Sequence, residues 1–442
     1  MKTSITHIAA LIAIGSTACG PQPQGATEGV AEVDASLVRD GGDASDGGHV
    51  DGGRDVDGGG VVDGGGNTDG GHFADGAERV IPRVRVPVDV TRMPACTPGS
   101  DSGCLYQPAL APEVAEVVFS DDVSYTDVLG GRRVVPVAVY RPPGATRPRP
   151  LVLLSHGGSN GIVDATRALR EWASILAAAG YVTISLAHRA YEYESADGGP
   201  SEYDRLCDAV GVPENDAGVP CGLKINWARP LDLEAVLAWV TDRVATNPEW
   251  AAAIDLGRIG HMGHSAGAGA GMMVGGVTRN FLCAQPFGMA QGSVVPCDAA
   301  DLVSRRLPDI DAIVTFSPQG PGSDGFMTES YATLAVPMLM ATGRQDGDVG
   351  EPANREALFP LLPAGPRWKV YLDDDGAQHG LFGGELDPCE REVSAQRCAD
   401  LRGTLTSAAL AFFDAHLRNR NAAVHWLDTA DLSAVSGTLT RR

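Results

Sequence analysis

Apolar residues in the middle of the chain form short continuous runs separated by stretches of helical periodicity. A run of about four to eight apolar residues bounded by turn residues is typical of a buried parallel strand. Runs of this kind lie at 151–155, 311–317 and 336–343, and further strands are predicted at 181–187, 258–264 and 368–372. Two earlier segments, 113–119 and 133–140, alternate between apolar and polar residues, which predicts antiparallel strands near a sheet edge.

The stretches between these runs carry apolar residues at helical spacing. Helices are predicted at 165–179, 229–247, 266–274 and 401–419. Strands that alternate with helices predict an α/β fold with a mainly parallel central sheet and helices on both faces. In such sheets the functional loops gather beyond the carboxyl ends of the strands. Catalytic and binding residues are therefore expected in the segments that directly follow the predicted strands.

The first nineteen residues have the features of an export signal. Lys2 is followed by the apolar run 8–14, which is too short to span a bilayer. Small residues then precede Cys19. An apolar run followed by small residues and a cysteine resembles a bacterial lipoprotein signal, in which that cysteine is lipidated. The chain is therefore expected to be exported and anchored to a bacterial membrane through Cys19. Ordinary secretion with cleavage nearby, giving a soluble secreted or periplasmic protein, is the alternative.

Residues 20–78 have the composition of a spacer. Six DGG triplets recur in this segment with almost no large apolar residues between them, which predicts disorder. The segment holds thirteen acidic residues and two arginines, half of the chain's net charge of −22. The triplets lack the nonapeptide spacing of calcium-binding repeats. The acidic balance argues against a nucleic-acid partner.

The remainder, 79–442, is expected to form one large domain with local disulfides. The eight cysteines after Cys19 fall into four close pairs, which are Cys96/Cys104, Cys207/Cys221, Cys283/Cys297 and Cys389/Cys398. Pairs of this kind in an exported protein favour disulfides, and the tight C-x-x-C spacing of zinc sites is absent. Eight cysteines allow about 105 pairings, so pairing of neighbours is a hypothesis.

Two segments match the pattern G-x-S-x-G, and their contexts differ. GHSAG at 263–267 joins a predicted strand to a small-residue helix, which is the context of a nucleophile elbow centred on Ser265. GGSNG at 157–161 follows a strand without an immediate helix. A histidine and two glycines at that strand end favour an oxyanion-binding turn, because backbone N–H groups there can face a developing negative charge.

A serine nucleophile needs a histidine base and an orienting carboxylate, which follow an elbow in the order acid and then histidine. Of the three histidines after Ser265, only His379 lies in a loop directly after a predicted strand. Asp346 follows the strand 336–343 and is the preferred acid, with Asp348 as the alternative. No dinucleotide fingerprint and no metal-spaced histidine pair occur, so no cofactor and no metal are expected.

Taken together, these segments resemble α/β-hydrolases, in particular predicted dienelactone hydrolases and platelet-activating-factor acetylhydrolase-like esterases. Cutinase-type polyester hydrolases have a similar core. The resemblance covers about 114–430 and rests on the segments PLVLLSHGGSNG, GYVTISLAH, RPLDLEAVLAWV, GRIGHMGHSAG, TFSPQGPG, VPMLMATGRQD, GAQHGLF and ALAFFDAHL. A cysteine nucleophile, as in true dienelactone hydrolases, is absent at the elbow, so that activity is not carried over.

The resemblance implies an α/β-hydrolase fold and a triad of Ser265, Asp346 and His379. It also implies oxyanion donors from the backbone of Gly158 and Ala266. The expected activity is hydrolysis of a carboxylic ester: a short-chain acyl ester, an acetylated lipid or a polyester. A peptidase or acyltransferase on the same triad, and a surface lipoprotein that only binds, are the alternatives. The insertion at about 189–228, with Cys207 and Cys221, could form a lid or a pocket wall.

Overall fold

The structure is a computed structural model, and it describes most of the predicted domain. The described residues are 84–86, 105–106, 115–142, 147–158, 164–191, 201–210, 224–281, 299–347 and 352–442. All of them belong to one compact unit, Asp75–Arg442. Three of the predicted features lie outside the described residues: the signal at 1–19 with Cys19, the spacer at 20–78, and Asp348.

A mixed sheet forms the centre of the described domain. Its strands, with the small hairpin of β3 and β4, are β1 (Val84–Val86), β2 (Ala115–Ser120), β3 (Ser124–Thr126), β4 (Arg132–Val134), β5 (Val137–Arg141), β6 (Arg149–Ser155), β7 (Val182–Leu186), β8 (Ile254–His264), β9 (Ile310–Phe316), β10 (Met338–Gly343), β11 (Arg367–Leu372) and β12 (Gly437–Arg441). Within the described residues, ten strands pair in the order β1-β2-β5-β7-β6-β8-β9-β10-β11-β12.

Six neighbouring strands are parallel, which are β7, β6, β8, β9, β10 and β11. The outer strands β1, β2, β5 and β12 are antiparallel to their neighbours. The chain passes from β6 to β7 on one side and then to β8 on the other side of β6. The order of strands therefore reverses between β6 and β8. In open α/β sheets, the crevice beyond the carboxyl ends of two such strands is where ligands bind.

Helices cover both faces of the sheet. They are α1 (Arg170–Ala178), α2 (Glu202–Ala209), α3 (Lys224–Thr246), α4 (Pro248–Ala253), α5 (Ala266–Val274), α6 (Pro352–Ala357), α7 (His379–Gly383), α8 (Asp387–Glu390), α9 (Ala395–Leu417) and α10 (Asn421–Thr429). Val152 and Leu154 of β6 pack in one apolar cluster with residues of α1 and α9. Leu151 and Leu153 pack in the other cluster with residues of α3 and α5. Because successive side chains of a strand point to opposite faces, the two clusters lie on the two sides of the sheet.

The predicted α/β class with a mostly parallel sheet is confirmed, and several predicted boundaries are wrong. The segment 133–140 is not one strand, because Val135 and Pro136 separate β4 from β5. The first helix begins at Arg170 rather than near 165, after Leu169 with φ 48°. The closing helix begins earlier than predicted, at Ala395, where the Ser394 hydroxyl accepts a hydrogen bond from the Arg397 N–H. Among the described helices, none is long and apolar enough to cross a membrane.

One predicted disulfide is confirmed in full. Cys389 and Cys398 are bonded across a Cα–Cα distance of 5.8 Å and tie α8 to the first turn of α9. Cys207, on α2 within the insertion, is also disulfide-bonded, and its partner lies outside the described residues. The other cysteines named above lie outside the described residues too: Cys96, Cys104, Cys221, Cys283 and Cys297. Their pairings, and a role of the 189–228 insertion as a lid or wall, stay predictions.

Candidate active site

Ser265 lies at a sharp turn between a central strand and a helix. β8 ends at His264, and α5 begins at Ala266. The backbone of Ser265 has φ 53° and ψ −121°, and a positive φ is uncommon for a residue that carries a side chain. Ser265 is buried, with 5% of its surface exposed. This combination is the backbone geometry that a nucleophile elbow requires.

The glycines on either side of Ser265 make this turn possible through close contact. A Cβ atom on Gly263 would overlap the carbonyl group of Gly267, and a Cβ atom on Gly267 would overlap the carbonyl group of Ser155. The start of α5 therefore lies directly against the carboxyl end of β6. Any larger residue at either glycine would push the helix away from the sheet and move Ser265.

A carboxylate and a histidine meet beyond the ends of β10 and β11. Asp346 follows β10 and is fully buried, and His379 is the first residue of α7, after β11. The Nδ1 atom of His379 lies 2.6 Å from Oδ1 of Asp346. The hydroxyl of Thr342 donates a hydrogen bond of 2.8 Å to the other carboxylate oxygen, Oδ2. An Nδ1–H group donating to the carboxylate leaves Nε2 of His379 as the free basic nitrogen.

The buried guanidinium of Arg355 supports the loop that carries Asp346. Its Nε donates to the carbonyl oxygen of Asp346 at 3.1 Å and lies 3.4 Å from the carboxylate Oδ2. Its Nη1 donates to the carbonyl oxygens of Ser317 at 2.7 Å and Pro318 at 3.0 Å. Arg355, from α6, thus ties the loop after β10 to the loop after β9. Sequence reasoning missed this residue.

His264 connects the elbow to the His379 loop. Its Nε2–H donates to the carbonyl oxygen of His379 at 3.0 Å, and the two imidazole rings have their centroids 4.6 Å apart. Burial, followed by the proximity of His379, holds the pKa of His264 well below its usual value, so this ring is neutral. His379 therefore packs against the residue that directly precedes Ser265 in the chain.

The segment after β6 lies against Ser265 as well. A Cβ atom on Gly157 would lie 3.1 Å from Cβ of Ser265 and 2.8 Å from Nδ1 of His264. The next residue, Gly158, is exposed and has φ 81°. Ala266 is the first residue of α5, where backbone N–H groups have no partner within the helix. The structure thus brings Gly157 and the start of α5 to the same serine.

A chain of buried polar side chains continues behind this segment. The hydroxyl of Ser155 lies 3.0 Å from Nε2 of His188 and 3.0 Å from Nε2 of His261. Nδ1 of His188 lies 2.9 Å from Oδ2 of Asp232. Asp232 also accepts two hydrogen bonds from the guanidinium of Arg133. All of these side chains are buried.

The donors and acceptors in this chain assign both histidines as neutral. Asp232 is an acceptor, so His188 carries its proton on Nδ1 and accepts from the Ser155 hydroxyl at Nε2. His261 then donates from Nε2 to the same hydroxyl oxygen. Burial, and then the charge of Arg229, lower the pKa of His188 to about 4. Burial, and then His188, lower the pKa of His261 to about 3.

These two histidines predict a loss of stability in mild acid. In the unfolded chain both take up a proton near pH 6.5, whereas the folded protein resists protonation down to about pH 4 for His188 and about pH 3 for His261. The unfolded state binds more protons in this window, so the free energy of unfolding falls as the pH falls. We expect urea denaturation to show a decrease from pH 6.5 to 4.5 that approaches about 1.4 kcal/mol per pH unit for each histidine.

The variant His261→Gln isolates one of these protons. Glutamine keeps a donor for the Ser155 hydroxyl and does not titrate. The slope of unfolding free energy against pH should therefore fall by about 1.4 kcal/mol per pH unit, the contribution of one proton, between pH 6 and 4.5. The control His425→Gln removes an exposed histidine on α10 and should leave the slope unchanged. An equal slope in His261→Gln and the unmodified protein would refute this assignment.

Comparisons with known proteins do not place the chain in a family. No protein-family model matches the chain, and no curated protein matches it. In the described part of the chain, no three His, Cys, Asp or Glu side chains are grouped as they would be around a metal ion. The interpretation of the site therefore depends on its own geometry.

One local signal could have pointed to the buried residues behind the site. Arg229 and Asp232 lie at helical spacing with Leu233 and Val236 on the apolar stripe of α3. Charged residues on a buried stripe are rare unless they have specific partners. The sequence shows the anomaly, but it does not show which backbone groups are the partners.

Proposed function

We propose that this protein is a serine hydrolase with an α/β-hydrolase fold that cleaves carboxylic esters. The observation that carries the proposal is the Asp346–His379 pair, with 2.6 Å between Oδ1 and Nδ1, whose imidazole packs against His264, the residue directly before a serine with φ 53°. Serine, acid and histidine follow β8, β10 and β11 in the chain order of α/β-hydrolases. Three side chains of this chemistry beyond the carboxyl ends of strands of one sheet favour nucleophilic catalysis over simple binding.

In the proposed mechanism, His379 relays one proton in each half-reaction, first from Ser265 to the departing alcohol and then from water back to Ser265. Nε2 of His379 takes the proton of the Ser265 hydroxyl while Oγ forms a bond to the ester carbonyl carbon. The carbonyl oxygen becomes an oxyanion that accepts hydrogen bonds from the N–H groups of Gly158 and Ala266. When the tetrahedral intermediate collapses, the C–O bond breaks and His379 gives its proton to the departing alcohol.

Hydrolysis of the acyl-enzyme repeats these steps with water. His379 removes a proton from water as the water oxygen attacks the acyl carbon, and it returns that proton to Oγ of Ser265 as the acid leaves. Asp346 stays ionised and stabilises the imidazolium in both half-reactions. The stoichiometry is one ester and one water to one acid and one alcohol, without a redox step.

The proposed substrates are esters of short acyl chains, acetylated lipids or polyesters. A peptidase or acyltransferase would use the same three side chains, so these activities form the second candidate. We also propose that the protein is exported and anchored by lipid on Cys19, with residues 20–78 as a spacer between membrane and domain. A membrane is then a partner only through this anchor, and nucleic acid is not a partner.

The proposal is tested by turnover and by covalent labelling. The domain from residue 79 is assayed with p-nitrophenyl acetate, butyrate and octanoate, and it is incubated with a fluorophosphonate probe. We expect turnover of at least one ester and a phosphonyl adduct on the peptide that contains Ser265, because fluorophosphonates react with activated serines. Labelling without turnover would favour a peptidase or acyltransferase. A folded domain with neither turnover nor labelling would contradict the proposal and favour a binding protein.

A further inference from the structure

The guanidinium of Arg229 is bound to the backbone of the segment 156–158. Arg229 lies on α3 and is fully buried. Its Nη1 donates to the carbonyl oxygen of His156. Its Nη2 donates to the carbonyl oxygen of Gly158 at 2.8 Å and lies 3.4 Å from that of Gly157. One side chain therefore contacts three consecutive carbonyl groups of this segment.

No carboxylate among the described residues forms an ion pair with Arg229. The nearby Asp232 is bound instead by Arg133 and His188, and by the hydroxyl of Tyr125. Burial lowers the pKa of Arg229 to about 9, which still leaves the guanidinium charged at neutral pH. A buried charge without a counterion is costly. Here the carbonyl dipoles of one loop stabilise the charge by direct hydrogen bonds, and Asp232 stabilises it from nearby without an ion pair.

The contacts with Arg229, together with one from the His156 ring, fix the directions of backbone N–H groups. In a planar trans peptide the N–H of one residue points opposite to the carbonyl of the residue before it, and the described backbone contains no cis peptide. The carbonyls of His156 and Gly157 face Arg229, and the Gly157 carbonyl also accepts a hydrogen bond of 2.6 Å from Nδ1 of His156, so the N–H groups of Gly157 and Gly158 point away from Arg229. Gly157 also abuts Ser265, since a Cβ atom on Gly157 would lie 3.1 Å from Cβ of that serine.

We propose that Arg229 is a positioning residue of the oxyanion hole, which orients and polarises the peptide groups of His156–Gly158 so that their N–H groups face the developing oxyanion at Ser265. This inference rests on the proposed esterase function. A glycine-rich loop is intrinsically free to rotate its peptides. The bidentate fork of an arginine can hold several carbonyls at once, which a lysine ammonium cannot do with the same geometry.

The test compares Arg229→Lys and Arg229→Met with the unmodified domain. For p-nitrophenyl butyrate we expect kcat to fall by about a hundredfold to a thousandfold, the loss typical of one oxyanion donor, while KM changes by less than about threefold. The affinity for a trifluoromethyl ketone, which forms a tetrahedral adduct with a catalytic serine, should fall in parallel with kcat. A merely structural role would lower stability without this parallel loss.

The control is Arg279→Lys. Arg279 is as deeply buried and donates to a backbone carbonyl, that of Asp324, but it does not contact 156–158. This variant should keep kcat within about threefold, because the oxyanion loop is untouched.

The outcomes separate the two proposals. An inactive unmodified domain contradicts the esterase proposal itself. An active unmodified domain with Arg229 variants that keep kcat and ketone affinity overturns only the role of Arg229. If both Arg229 variants fail to fold while Arg279→Lys folds, Arg229 serves the fold as a whole, and the positioning role is also overturned.

Discussion

We expect Ser265→Ala to lower kcat for p-nitrophenyl butyrate by about six orders of magnitude, to the level set by binding and the oxyanion hole alone. In the proposed mechanism, alanine removes the oxygen that forms the acyl-enzyme, while Asp346, His379 and the backbone donors remain. Fluorophosphonate labelling of the peptide should disappear at the same time. The measurement is a steady-state assay at high enzyme concentration. The p-nitrophenol released in the first turnover is measured separately from the p-nitrophenol released in the steady state.

Loss of activity in Ser265→Ala must be separated from loss of structure. Alanine has the same Cβ atom as serine and meets the same backbone conformation, so the free energy of unfolding should change by less than about 1 kcal/mol. Ser436→Ala is the matched control, because Ser436 also has a positive φ, of 52°, but precedes β12 at the edge of the sheet. Residual activity above about 1% in folded Ser265→Ala would exclude Ser265 as the nucleophile.

The central strands could be predicted because burial on both faces leaves a simple pattern. In β6, β9 and β10 nearly every residue is buried and most are apolar, so an apolar run identifies the strand. β12 gives no such signal, because its sequence GTLTR is mostly polar and mostly exposed. It becomes a strand by antiparallel pairing with β11, a tertiary contact that no local pattern records.

The placement of Asp346 beside His379 follows from topology and could be expected. Both residues lie in the segments after neighbouring parallel strands, β10 and β11, whose carboxyl ends meet at one edge of the sheet. The distinction from Asp348 could not be made from the sequence. The two aspartates are two residues apart in one loop and have the same side chain. Only their distances to the imidazole distinguish them, and the sequence does not give those distances.

The supporting arginines could not be predicted, because their partners are backbone carbonyls. Arg229 and Arg355 bind the loops after β6 and β9, which lie far away in the sequence. A carbonyl group belongs to every residue type, so no side-chain pattern marks the acceptor. Ser155 was hidden for a similar reason, because its hydroxyl completes an apolar run and its two histidine partners come from other elements.

Asp346→Asn is expected to lower kcat by about four orders of magnitude, through the tautomer of His379. Oδ2 of Asp346 faces two donors, the hydroxyl of Thr342 and Nε of Arg355 at 3.4 Å. Asparagine is expected to place its carbonyl oxygen toward these donors, because an NH₂ group at that position would bring two donors together without an acceptor. The NH₂ group then lies at the Oδ1 position and donates to Nδ1 of His379, which moves the imidazole proton to Nε2 and removes the base.

The controls for Asp346→Asn are carboxylates of the neighbouring loops. Asp373→Asn removes an exposed carboxylate that pairs only at the surface with Arg344 and should change kcat by less than about threefold. Asp348→Asn tests the alternative acid directly. A loss of about ten-thousandfold in Asp348→Asn, with Asp346→Asn nearly active, would reverse the assignment. A large loss in Asp346→Asn alone, with its KM and its free energy of unfolding near those of the unmodified domain, would identify Asp346 as the group that keeps His379 basic toward Ser265.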